Sequence, residues 1–225
     1  MNANKIISQS DREVIEQRIG EIEQTTTAEL VVAVATESGN YDRAESIVGI
    51  LTALLTLGIA NLIPTLFHEA GDWAAPGLQV VFQGLAVVVG FVAGNFLAAY
   101  CFPIRQLFSG KHGQIQAARK SASHVFYNHK IREARSRCGV LIYLSLFERC
   151  IVILPDKSCE EALGVEKVQE ICDSTVAELK TGNYRNAILH ALGQLSIVLA
   201  EAHPADRQFN ENELADHVLT FHRSV

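Results

Sequence analysis

The sequence predicts an α/β domain, a small sheet covered by helices, interrupted by a two-helix transmembrane hairpin. Three observations carry this reading: two long uncharged apolar runs, short β-branched runs on either side of them, and helical periodicity in the remainder. The length of 225 residues suits one domain plus a membrane segment. Hydrophobic residues make up 48% of the chain and the mean hydropathy is +0.16, with the apolar excess concentrated in those two runs. The expected division is 1–46 for the first part of the domain, 47–102 for the hairpin and 103–225 for the remainder.

The N-terminal segment opens with a helix. Ser10-Asp11-Arg12-Glu13 reads as a capping box, and Val14, Ile15, Ile19 and Ile22 repeat at helical spacing. AELVVAVATES follows, and its Leu30 to Val34 run reads as a buried strand. No apolar stretch near the N-terminus resembles a cleavable signal peptide.

Ile47 to Phe67 is a run of 21 residues without a charge, and Leu78 to Phe102 is another of 25. At about 1.5 Å rise per residue each exceeds a hydrocarbon core roughly 30 Å thick. The segment between them holds Glu69, Asp72 and Trp73 but no Lys or Arg, whereas Arg105, Lys111, Arg119 and Lys120 follow the second run. The positive-inside rule therefore places the loop outside and both termini in the cytoplasm of a cell-membrane protein. Gly90 and Gly94 form a GxxxG step, suited to close approach of the two helices or to pairing between subunits. Neither span contains an ionisable residue, which disfavours an ion pathway.

Beyond the hairpin, Ile115, Ala118, Ala122, Val125, Phe126 and His129 mark an amphipathic helix with a basic outer face. GVLIYLSL and CIVIL read as two strands joined at Phe147-Glu148-Arg149 and closed by Pro155-Asp156. Helices are expected from about Val165 to Lys180 and from Tyr184 to Ala202, before a polar tail with a short amphipathic end. The first strand cannot be buried by 1–46 alone, so it must pair with strands beyond the hairpin.

Residues 103–149 carry nine Lys/Arg and two acidic residues, and residues 150–225 carry six and twelve. The basic half directly follows the membrane, so lipid rather than nucleic acid is its expected neighbour. Cys101, Cys138, Cys150, Cys159 and Cys172 form an odd set with no CxxC pair and no zinc-type spacing, which reads as reduced thiols in a cytoplasmic domain. His124 and His129 lie five apart, the wrong spacing for a helical metal pair. No GxSxG, HExxH, P-loop or GxGxxG occurs, and FSGKHG is not a P-loop.

AELVVAVAT, GVLIYLSLFERCIVILPD, AELKTGNYRNAILHALGQL and the late NEL together resemble the TPM domain family. The resemblance covers the chain outside the hairpin and implies a TPM-like α/β sandwich. It also implies divalent-cation binding and an acid phosphatase activity, both attributed to some members. Glu29 matches the family's acidic residue at the first strand, and Glu148-Arg149 its acidic–Arg pair at the β-turn. Glu148, with Asp156 and Glu29, is thus a candidate Ca²⁺ or Mg²⁺ ligand, and Arg149 a candidate phosphate clamp. Set against this, a turn charge pair and a turn aspartate are ordinary surface features. Asn210, Glu211, Glu213 and Asp216 offer further oxygens within a solvated tail.

The expectation is a membrane-anchored accessory or interaction module with a divalent-cation site, the alternative being a metal-assisted phosphomonoester hydrolase. Its expected partners are the bilayer and another membrane protein. Homo-oligomerisation stays open.

Overall fold

The computed structural model describes residues 2–67, 76–129, 131, 138–205 and 218–223. In chain order its elements are α1 (Ala3–Ile6), α2 (Gln9–Glu23), β1 (Glu29–Glu37), α3 (Asp42–Phe67), α4 (Pro76–Tyr100), α5 (Phe102–Phe108) and α6 (Lys111–Asn128). They continue with β2 (Gly139–Ser145), β3 (Cys150–Pro155), α7 (Lys157–Leu179), α8 (Tyr184–Ala202) and β4 (Leu219–Arg223). Trp73, the basic residues Lys130, Arg132, Arg135 and Arg137, and the tail residues Asn210, Glu211, Glu213 and Asp216 lie outside the described residues.

The chain divides into two units, Met1–Gly39 with His112–Val225, and Asn40–Lys111. The first is the α/β domain. Its mixed sheet has the order β3-β2-β1-β4 among the described residues. β1 pairs in parallel with β2, from Glu29 opposite Gly139 to Ala35 opposite Ser145, so the first strand does find its partner beyond the hairpin. β3 runs antiparallel to β2.

Every residue of β1 is buried because helices cover both faces of the sheet. Alternation along the strand sends Leu30, Val32 and Val34 to one side, where they meet Ile15 and Ile19 of α2 and Ile188, Leu192 and Leu195 of α8. Val31, Ala33 and Ala35 face the other side, against Ala118, Ala122, Val125 and Phe126 of α6. The result is a helix–sheet–helix sandwich.

Three sequence expectations shift. The capping box at the start of α2 is Ser8 with Asp11, not Ser10 with Glu13: Ser8 accepts from the Asp11 N–H, and Asp11 accepts from the Ser8 N–H. α7 begins at Lys157 rather than near Val165. Asp156 caps it, and Gly164, at φ 64°, breaks the helical conformation where the sequence placed the start. The tail supplies β4, which pairs in parallel with β1 along Ala33 to Glu37. Its polar residues conceal an edge strand.

The second unit is built around α3 and α4. Thr52 Oγ1 lies 2.8 Å from the Gly90 carbonyl and 2.9 Å from those of Val48 and Gly49. Thr56 Oγ1 lies 3.0 Å from the Ala86 carbonyl and 2.9 Å from that of Ala53, so each hydroxyl proton is shared between its own helix and the partner. Gln83 Nε2 donates to Asn61 Oδ1 at 3.0 Å. A Cβ on Gly90 would sit 3.1 Å from Ala53 Cα, and one on Gly94 would sit 3.0 Å from Gly49 Cα. The GxxxG step therefore serves close approach within the hairpin. The large apolar side chains point outward: Leu54 is 60% exposed, Leu55 63% and Val81 67%.

Candidate functional site

The chemistry-bearing residues of the α/β domain gather at opposite ends of the sheet. Glu148 sits in the turn between β2 and β3, at the C-terminal end of the parallel strands, and is buried. Its Oε1 accepts from the Ser38 N–H at 2.8 Å and its Oε2 accepts from the Ser145 hydroxyl. Ser38 Oγ lies 2.6 Å from Ser145 Oγ and 2.8 Å from the Tyr143 hydroxyl, and its carbonyl accepts from Ser121 Oγ at 2.7 Å.

These contacts have one direction. Ser145 has a single hydroxyl proton and gives it to Glu148, so Ser38 must donate to Ser145 and Tyr143 to Ser38. A chain of three hydroxyls thus ends on one carboxylate, and such chains strengthen cooperatively in a dry interior. The chain ties the loop after β1 to β2, to its turn and to α6. Arg149 follows at φ 50°, a left-handed conformation uncommon outside glycine, on the exposed side of the same turn.

Glu29 and Asp156 are at the other end. Glu29 opens β1 opposite Gly139, and the Asp156 N–H donates to the Gly139 carbonyl at 2.7 Å. Asp156 Oδ1 accepts from the Lys157 N–H at 2.7 Å, the capping contact of α7. Parallel pairing puts the start of β1 beside the start of β2, so Glu29 is about six residues, roughly 20 Å, from the end where Glu148 lies. The structure brings Glu29 and Asp156 to one end and leaves Glu148 and Arg149 at the other. Three carboxylates so divided do not form one Ca²⁺ or Mg²⁺ site.

Sequence reasoning missed the group that does converge. Among the described residues, the ligand atoms of Cys138, Cys159 and His203 lie within 4.8 Å of one another. Cys138 and Cys159 are disulfide-bonded, which corrects the expectation of reduced thiols at these two positions. Cys138 immediately precedes β2 and Cys159 lies in the first turn of α7. The β2–β3 hairpin returns the chain to its starting end, so residues 21 apart in sequence arrive with Cα atoms 5.3 Å apart. No local spacing could signal this. Cys150 and Cys172 behave differently: burial pushes both thiols up, Cys172 to about 11, opposed by Arg119 at Cys150 and first by a backbone hydrogen bond with Ile153 at Cys172.

The fold defines a class, an α/β sandwich in which a helical hairpin separates two parallel neighbouring strands. A solved structure, the NMR structure of the BA42 protein from the psychrophilic bacterium Bizionia argentinensis sp. nov., is similar to this chain with a TM-score of 0.56. The match covers 95% of this chain and 94% of that one at 14% identity, which establishes likeness of fold. Residues 109–197 match the TPM domain family, and the GVLIYLSLFERCIVILPD and AELKTGNYRNAILHALGQL motifs that carried the resemblance fall within the matched stretch. No curated protein matches the chain.

Proposed function

We propose that the protein is a membrane-anchored TPM-domain accessory module: α3 and α4 cross the bilayer, both termini are cytoplasmic, and the domain engages another membrane protein. The observation that carries the anchoring is the reversed polarity of the helix pair. Leucines and valines face outward along α3 and α4 while threonine hydroxyls bond carbonyls between them, an arrangement that is costly in water and favourable in hydrocarbon. A non-catalytic role is supported by Glu148, whose two oxygens are engaged by Ser38 and Ser145, and by its separation from Glu29 and Asp156.

Topology reporters test the anchoring. One fused after Val225 is expected in the cytoplasm and one inserted within 68–75 outside, with the protein retained in carbonate-washed membranes. Release by carbonate overturns the anchor. Magnesium-dependent hydrolysis of a phosphomonoester by the purified protein overturns the module reading in favour of the hydrolase. One observation favours the opposite face: disulfides persist in oxidising compartments, and Cys138–Cys159 is one. An extracytoplasmic reporter at Val225 would establish that orientation instead.

A further inference from the structure

We infer that Cys138, Cys159 and His203 form a redox-gated site for a thiophilic divalent cation of the zinc class, closed as a disulfide and competent to bind once reduced. Each ligand is fixed by its own anchor. The Cys138 carbonyl accepts from the Glu29 N–H at 2.9 Å. Cys159 lies in the first turn of α7, which Asp156 caps. The His203 carbonyl accepts from Thr26 Oγ1 at 2.6 Å and from the Thr27 N–H at 3.0 Å.

The imidazole is oriented as well. His203 Nε2 lies 3.3 Å from the Ser158 carbonyl, which can only accept, so the tautomer that makes this hydrogen bond leaves the Nδ1 lone pair for a metal. A backbone carbonyl in that role is the usual outer partner of a metal-binding histidine. Three ligands with their atoms within 4.8 Å need only small side-chain rotations to meet tetrahedral bonds of about 2.3 Å to sulfur and 2.0 Å to nitrogen. Two sulfurs and one imidazole select a soft cation over Ca²⁺ or Mg²⁺.

The chemistry balances with a dithiol reductant. Its two thiols become a disulfide, the Cys138–Cys159 bond breaks, and the two cysteines take up two electrons and two protons. Binding a divalent cation then releases those two protons to solvent. Burial raises the thiols of Cys150 and Cys172, which disfavours their thiolates relative to a free cysteine.

The test uses the full chain in detergent, reduced and desalted, with Co²⁺ as the spectroscopic probe and Zn²⁺ as competitor. The expected result is one cobalt per chain with thiolate-to-cobalt absorption, displaced by zinc, absent from the oxidised protein, and retained in a Cys101→Ser/Cys150→Ser/Cys172→Ser variant. His203→Ala is expected to weaken binding by at least about tenfold, the scale of losing part of a metal's support. Zinc is also expected to protect Cys138 and Cys159 of the unmutated protein from alkylation, read by peptide mass spectrometry, which needs no variant to fold. Absence of the thiolate band in the reduced protein, equal binding by the oxidised form, or lack of zinc protection at those two cysteines would overturn the site.

Discussion

The α/β domain and the helical hairpin solve the same problem with opposite arrangements. In the domain, β1 hides all nine of its residues, and its polar neighbours survive burial only by closing hydrogen bonds, as along Tyr143, Ser38, Ser145 and Glu148. In the hairpin, leucine and valine point away from the partner helix while glycine, alanine and threonine line the contact. Hydrophobicity drives the first; in the bilayer proposed for the second it would not, and close backbone approach would hold the pair.

That contrast can be broken most sharply by the same substitution in each region. Val32→Asp puts a carboxylate into the middle of a fully buried strand and is expected to abolish the domain's cooperative unfolding transition, a loss above about 4 kcal/mol. Leu55→Asp is expected to leave that transition unchanged and to reduce membrane insertion by about 3 kcal/mol. Equal damage to the domain from both would end the comparison. Gly94→Leu comes next. Its side chain would collide with Thr52 and Gly49, and overpacking of this kind is expected to cost about 1–3 kcal/mol in the hairpin's thermal stability in micelles, with the domain untouched.

Ser8→Ala removes the acceptor for the Asp11 N–H at the start of α2 and is expected to cost the domain about 1 kcal/mol by denaturant melt. The Ser8 hydroxyl also holds the Asp11 carboxyl below its ordinary value, so the variant should raise that pKa by NMR titration. The smallest effect concerns pH. Burial raises Cys172 from 9.0 to about 11, so the folded state keeps the thiol while the unfolded chain ionises. Its contribution is complete below about pH 9 and is lost as pH rises towards 11. Cys172→Ala should flatten that part of the stability curve.

Periodicity made most of the fold legible. Continuous β-branched runs marked β1 and β3, helical spacing marked α6 and α8, and uncharged length marked α3 and α4. It failed where structure depends on distant partners. β4 carries Thr220, His222 and Arg223 and reads as tail because only its pairing with β1 makes it a strand. The sites were harder still. Glu29, Glu148 and Asp156 were visible as strand-end acids, but which ends coincide is decided by the parallel register. Tyr143 and Ser145 alternate within an apolar strand, a signal of a polar face that the motif reading passed over. Cys138, Cys159 and His203 come from three segments joined only by topology.

The insertion between β1 and β2 has a consequence for synthesis order. A parallel pair ordinarily closes a long loop, and loop closure slows folding. Here α3 and α4 pack on each other, so about half of the residues between the two strands can be ordered before the strands meet. Until Gly139 emerges, however, the apolar β1 has neither neighbour. Early pairing of α3 with α4 would shorten that search, and a hairpin-opening substitution such as Gly94→Leu should then slow closure of the sheet even where it leaves the sheet's final stability unchanged.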